Sequence, residues 1–199
     1  MSAEQPELTV TDQDAWREWL DAHHGDSDGV WLLLAKQGST DPTSLTYAQA
    51  LEEALCHGWI DSQARRRDET TYHQRFTPRR STSPWSARNV TLVADLIATG
   101  RMRSGGHAEI ERAKADGRWD AAYAGPATAE VPADLAAALD AEPRARAMFE
   151  ILTKQNRFAV IYRVGNAKRA ETRARRIAQF VEMLTRGETV YPQKRRLED

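Results

Sequence analysis

The chain has 199 residues, 41% apolar and 29% charged, with a net charge of −1. That length suits one domain, or one domain with a helical appendage, and is enough to bury a core without covalent staples. The near-neutral balance excludes long-range attraction of the whole molecule to nucleic acid or an anionic membrane, and the single cysteine, Cys56, excludes an intrachain disulfide and a cysteine-based zinc site.

Residues 1–10 read as a loose extended lead-in, and the stretch MSAEQPELTVTDQDAW is acidic with no apolar h-region, which predicts a cytoplasmic protein. No apolar run approaches the ~20 residues of a membrane helix, so no membrane partner is expected. Thr11 and Asp14 have capping-box spacing and predict a helix to about His23, with Trp16, Trp19 and Leu20 on its buried stripe. Residues 29–36, GVWLLLAK, are closed by Gly38 and Asp41-Pro42, and their length predicts a buried strand. Thr46 and Gln49 cap the next helix, which Gly58 should end near His57. Residues 70–77, TTYHQRFT, are β-branched and aromatic and predict a second strand, paired with the first in a sheet of two or three strands.

Ser83 and Pro84 have the order of an N-cap and first helical residue, which predicts a helix stopping near Gly100. Another is expected over 106–116, closed by Gly117, and residues 120–131 are small, with Gly and Pro, as in a linker. Beyond it the pattern is helical. Pro132, Pro143 and Asn156 open three helices, and a last one over 167–186 aligns Ala170, Ala174, Ile177, Val181 and Leu184 before Gly187 stops it. The tail KRRLED is expected to fray. The fold class expected is mostly α with a small β-sheet, an α+β domain over 11–119 followed by a helical domain over 131–187.

Residues 56–89 concentrate the chemistry. They contain Gly58-Trp59-Ile60-Asp61-Ser62, Arg75-Phe76-Thr77-Pro78-Arg79-Arg80, and Ser83-Pro84-Trp85-Ser86 followed by Asn89, with six arginines between 65 and 80 against Asp68 and Glu69. This composition predicts a pocket with an apolar wall from Trp59 and Trp85 and a cationic rim from Arg75, Arg79 and Arg80. Ser86 and Asn89 would orient a ligand, and Asp61, next to an indole, would balance the arginines or act as an acid or base. The competing reading is that Asp61 anchors a nearby arginine and that the arginines tie the sheet to its helices. Cys56 and His57 are adjacent on a helix, so their side chains diverge and form no Cys–His pair, and Cys56 is expected in the core. The histidines lack metal-ligand spacing, and no Gly-rich phosphate loop, nucleophile elbow or HExxH motif is present, so neither metal nor cofactor is predicted. Arg169, Arg173 and Arg176 form a row on the last helix, a fallback site.

The blocks GVWLLLAK, Tyr47-x-x-Ala-Leu-Glu-Glu-Ala-Leu-Cys-x-Gly-Trp-Ile-Asp, RFTPRR, Pro84-Trp85-Ser86-x-x-Asn89, GRM at 100–102, and Ala113-Lys114-x-x-Gly117-x-Trp119 together resemble the YdeI/OmpD-associated family, also described as bacteriocin-protection proteins. Later blocks are Val131-Pro132-x-Asp134-Leu135 and Ala167-Lys168-x-x-Glu171-Thr172-Arg173-x-x-Arg176-Ile177. Together they run from about Trp16 to Gly187, with a departure at Val164-Gly165-Asn166, where such proteins show Trp-Ile. The likeness implies protection against antimicrobial peptides or a link to an outer-membrane protein. The reading it favours is a protein that binds a small anionic or aromatic ligand, sequestering a toxic compound. The alternatives are an enzyme using Asp61 as acid or base on an anionic substrate, and a nucleic-acid or protein adaptor, with nucleic acid disfavoured by the net charge.

Overall fold

The computed structural model describes residues 5–126 and 128–197, so the first four residues of the expected lead-in, Ala127 of the linker and the last two of the tail lie outside the described residues. The chain divides into two compact units, Met1–Ala122 and Tyr123–Asp199. Among the described residues it is mostly helical with one small four-stranded sheet. No helix among them is long and apolar enough to cross a membrane.

The first unit contains β1 (Glu7–Leu8), α1 (Gln13–His23), β2 (Val30–Ala35), α2 (Tyr47–Cys56), β3 (Trp59–Arg66), β4 (Thr71–Pro78), α3 (Ala87–Ala98) and α4 (Ser104–Ala115). The sheet order is β1-β2-β4-β3, with β1 parallel to β2 and the other pairs antiparallel. The two expected strands pair with each other, Leu32 opposite Gln74 and Val30 opposite Phe76. Two further strands join them. Residues 59–66 form the other arm of a hairpin with β4, interrupted by a bulge between Asp61 and Ala64. Their polar sequence, DSQARR over 61–66, hides the alternation by which a half-buried strand is recognised. Within the lead-in, residues 7 and 8 pair with β2, too short a contact to leave a periodic trace.

Alternate residues of the strands enter one core with the helices: Leu32, Leu34, Trp59 and Phe76 meet Trp16, Leu20, Leu51, Leu55, Val93 and Leu96. Local signals set most helix ends. Thr46 and Gln49 make the reciprocal capping box of α2, and Gly58, at φ +78°, stops it. Two helix starts differ from expectation. Asp12, not Thr11, caps α1, its carboxylate accepting from Ala15 N at 3.0 Å. Ser86, not Ser83, caps α3, because Ser83 Oγ instead closes a turn by accepting from Arg80 N at 3.0 Å, and Pro84 O is held by Arg79.

The second unit holds α5 (Ala133–Asp140), α6 (Pro143–Glu150), α7 (Lys154–Gly165) and α8 (Ala170–Thr185) around Leu135, Leu139, Met148, Phe149, Val160, Val164, Ile177 and Leu184. Thr153 rather than Asn156 caps α7. Asn156 is 1% exposed and fastens the later chain: its Nδ2 donates to Tyr191 O at 3.0 Å and its Oδ1 accepts from Tyr191 N at 2.8 Å. The apolar stripe of α8 is shorter than expected, since Ala170 and Ala174 are exposed and Ile177 and Leu184 bury it.

A charge inside the first unit escaped the sequence. Glu53 on α2 is 2% exposed, yet its carboxylate accepts four hydrogen bonds. Gln13 Nε2 donates at 2.6 Å, Arg17 Nε and Nη2 at 3.1 and 3.0 Å, and Arg101 Nη2 at 2.7 Å. Burial pushes the carboxyl pKa up, but the donors from Arg17, Gln13 and Arg101 outweigh it and hold it below the ordinary glutamate value of 4.5. A group so depressed contributes stability that is complete above pH 4.5 and lost as pH falls through the folded value. Glu53→Gln leaves two guanidiniums without their shared carboxylate and should cost about 3–5 kcal/mol at neutral pH. Urea unfolding should show that loss, and the variant's stability should fall less than the wild type's on acidification below pH 4.5.

Candidate functional site

A cleft of about 600 Å³ opens on the first unit where the lead-in, the turn before β2 and the end of β4 converge. Its shape depends on Gly29, at φ +125°, where a Cβ would stand 2.6 Å from both Gln5 Nε2 and Phe76 O. Only glycine allows that approach and that φ together. The lining residues include Gln5, Asp28, Arg75, Arg79 and Arg80, so three arginines border it against one carboxylate side chain.

Strand alternation sends Phe76 into the core, fully buried, and Arg75 to the opposite face, where its Nε donates to Gln5 Oε1 at 2.6 Å. Arg79, just beyond the strand, is 5% exposed. Its guanidinium carbon lies 3.7 Å from the centroid of Trp85, its Nη1 donates to Pro84 O at 3.2 Å, and its backbone N donates to Gly58 O at 3.0 Å. Trp85 in turn packs on Trp119 at 4.9 Å between ring centroids. Arg79 therefore forms the buried back of the cleft and braces the β4–α3 connection. Arg80 is exposed, and among the described residues its guanidinium makes no hydrogen bond or ion pair.

Of the residues expected to share a pocket, the structure brings Arg75, Arg79 and Arg80 to the cleft, and Trp59, Asp61, Trp85, Ser86 and Asn89 do not line it. Trp59 and Trp85 are both in the core, 1% and 2% exposed, but in separate aromatic groups. Trp59 meets Trp16 and Trp19 edge to face at 6.4 and 5.8 Å and donates from Nε1 to His24 O at 3.1 Å. Ser86 Oγ is committed to the helix cap, accepting from Asn89 N at 3.2 Å, and Asn89 is 9% exposed. Asp61 pairs with Phe76 across the hairpin while Arg75 pairs with Trp31, which places Asp61 and Arg75 on opposite faces of the sheet. There Asp61 Oδ2 accepts from Tyr47 OH at 3.0 Å. Burial and then the Asp61 charge push the phenols of Tyr47 and Tyr72 upward.

Gln5, Asp28 and Gly29 were missed as site residues. Gln5 sits in a lead-in without pattern, and the only signal at Gly29 is that a glycine precedes a strand. Cys56 is fully buried, and burial pushes its thiol up to about 11, which keeps it un-ionised at neutral pH. His57 lies between Glu53 O and Asp21 Oδ1, each 2.8 Å from one ring nitrogen. Among the described residues no group of three or more His, Cys, Asp or Glu could hold a metal ion. In the arginine row of α8, Arg173 is bound to Asp134 through two hydrogen bonds of 2.5 and 2.8 Å, and Arg176 Nη1 donates to Arg163 O at 2.5 Å.

The two indoles separate by their polar atom. Trp59→Phe loses the bond to His24 O and should cost about 1–3 kcal/mol more than Trp85→Phe, because Trp85 Nε1 is buried with no hydrogen-bond partner among the described residues. Thermal melts of both variants measure the difference, and equal losses would contradict it.

Comparison with known proteins divides the chain in two. Residues 8–109 match the family model described as a domain of unknown function, DUF8412. Residues 128–187 match the model described as bacteriocin-protection, YdeI or OmpD-associated. The expected likeness thus extends less far, for it covers the second of these stretches while the first has a family model of its own. No curated protein and no solved structure matches the chain. With just over half its length in the first match, the chain belongs to the DUF8412 family, and it carries a YdeI/OmpD-associated segment over residues 128–187.

Proposed function

We propose that the protein binds a small anionic molecule in the cleft bordered by Arg75, Arg79 and Arg80, and that this binding protects against a bacteriocin or another antimicrobial compound. The supporting observation is the state of the arginines at that cleft. Several other guanidiniums of the first unit are matched to carboxylates: Arg17 and Arg101 to Glu53, Arg65 to Glu7, Arg66 to Glu69, and Arg103 to Asp21. Among the described residues the Arg75 guanidinium bonds only to the neutral Gln5, and Arg80 makes no ion pair. Cations left without a carboxylate beside an open cleft favour an anionic occupant, and a guanidinium offers a carboxylate or phosphate two parallel donors. The protective role comes from the description of the family matched by residues 128–187.

Sequestration asks for affinity without turnover. An enzyme using Asp61 would need that carboxylate at the ligand, and Asp61 is on the sheet face opposite Arg75. Titration calorimetry at low salt with inorganic phosphate, pyrophosphate and citrate tests the reading. Arg80→Ala removes a charge-assisted contact of roughly 1.5–3 kcal/mol and should weaken the best of these anions ten- to a hundredfold with the melting temperature unchanged. Arg79→Ala should lower the melting temperature as well, since it uncovers Trp85. Equal affinity in wild type, Arg75→Gln and Arg80→Ala would remove the cleft as the site.

A further inference from the structure

The second unit has a groove of about 520 Å³ between α7 and α8. One face of α8 supplies Arg176, Phe180 and Met183, at i, i+4 and i+7, and α7 supplies Tyr162 and Arg163. Phe180 and Met183 are partly buried against the core, so their outer surfaces form an apolar floor. The Tyr162 ring is steadied from behind by Phe158 at 5.5 Å and Tyr123 at 4.8 Å. Among the described residues no acidic side chain lines the groove, while two arginines do.

Those two arginines differ from Arg173 and Arg186 of the same unit. Arg173, one turn earlier on α8, is neutralised by Asp134, and Arg186, at its end, by Glu182 and Glu188. Arg176 makes one side-chain hydrogen bond among the described residues, Nη1 to Arg163 O at 2.5 Å. Arg163 has no ion pair among them, and its guanidinium carbon lies 6.0 Å from the Tyr191 ring. Apolar floor, aromatic wall and two lining arginines without a carboxylate partner are the complement of a flat apolar body with a negative end.

We propose that the groove between α7 and α8 is a second binding site, for an aromatic molecule carrying one anionic group. It is independent of the cleft at Arg75 and Arg80, and each can fail alone. The aromatic body lies on Phe180 and Met183 beside Tyr162, and the anion is held by Arg163 and Arg176.

The probe is anilinonaphthalene sulfonate, titrated by fluorescence into the full chain, with neutral phenylnaphthylamine as the uncharged control. The sulfonate should bind more tightly than the amine, and saturation should move the Met183 methyl resonance while leaving that of Met102 in place. Arg176→Gln and Arg163→Gln should each weaken the sulfonate about tenfold without changing the amine. Phe180→Ala should weaken both dyes. Arg176 also holds a backbone carbonyl, so if its variant melts early, Arg163→Gln decides, for Arg163 has no such bond. The proposal is overturned if Arg163→Gln binds the sulfonate as wild type does, if the amine binds equally well, if Met183 stays unmoved, or if Arg80→Ala abolishes sulfonate binding.

Discussion

A carboxylate removed from water stays charged only where donors replace the water it lost, and Glu53 obliges distant parts of the first unit to supply them. Gln13 and Arg17 come from α1, and Arg101 comes from the connection between α3 and α4. Their convergence holds α1 and that connection against α2. The end of α2 then anchors two later segments of the chain. Cys56 O accepts from Arg103 N at 3.1 Å, and Gly58 O accepts from Arg79 N at 3.0 Å, so the exit of β4 is tied to the helix end. The cleft at Arg75, Arg79 and Arg80 lies at that exit.

Arginine has two uses in this chain, and the partner of the guanidinium separates them. Arg79 and Arg173 brace connections: one covers an indole and the other joins α8 to Asp134 at the start of α5. Arg75, Arg80, Arg163 and Arg176 border open grooves without a carboxylate partner among the described residues. The same side chain suits both uses because its planar head stacks on rings and forks onto oxygen pairs, while its stem packs against apolar surface.

Many residues that carry the family resemblance turn out to hold the fold. Asp134 and Arg173 bind each other, Tyr47 donates to Asp61, Ser86 caps α3, and Trp85 packs between Arg79 and Trp119. A likeness built on such residues identifies an architecture before it identifies a chemistry, because function lies in sites set on a fold.

What the sequence determined by itself is local. The capping box at Thr46 and Gln49, the stop at Gly58, the buried run in β2 and the alternation in β4 each depend on neighbours within a few residues, and each is legible without the fold. The concentration of arginines over 65–80 is legible in the same way. Tertiary structure alone decided which side chains meet there. A strand register turns on single residues, so the pairing of Asp61 with Phe76 and of Arg75 with Trp31 divides two candidate partners between opposite faces. Gln5 reaches the cleft from seventy positions before Arg75. Glu53 is buried because Arg17 and Arg101 close over it, and burial of a charge is set by partners far along the chain and not by its own neighbours.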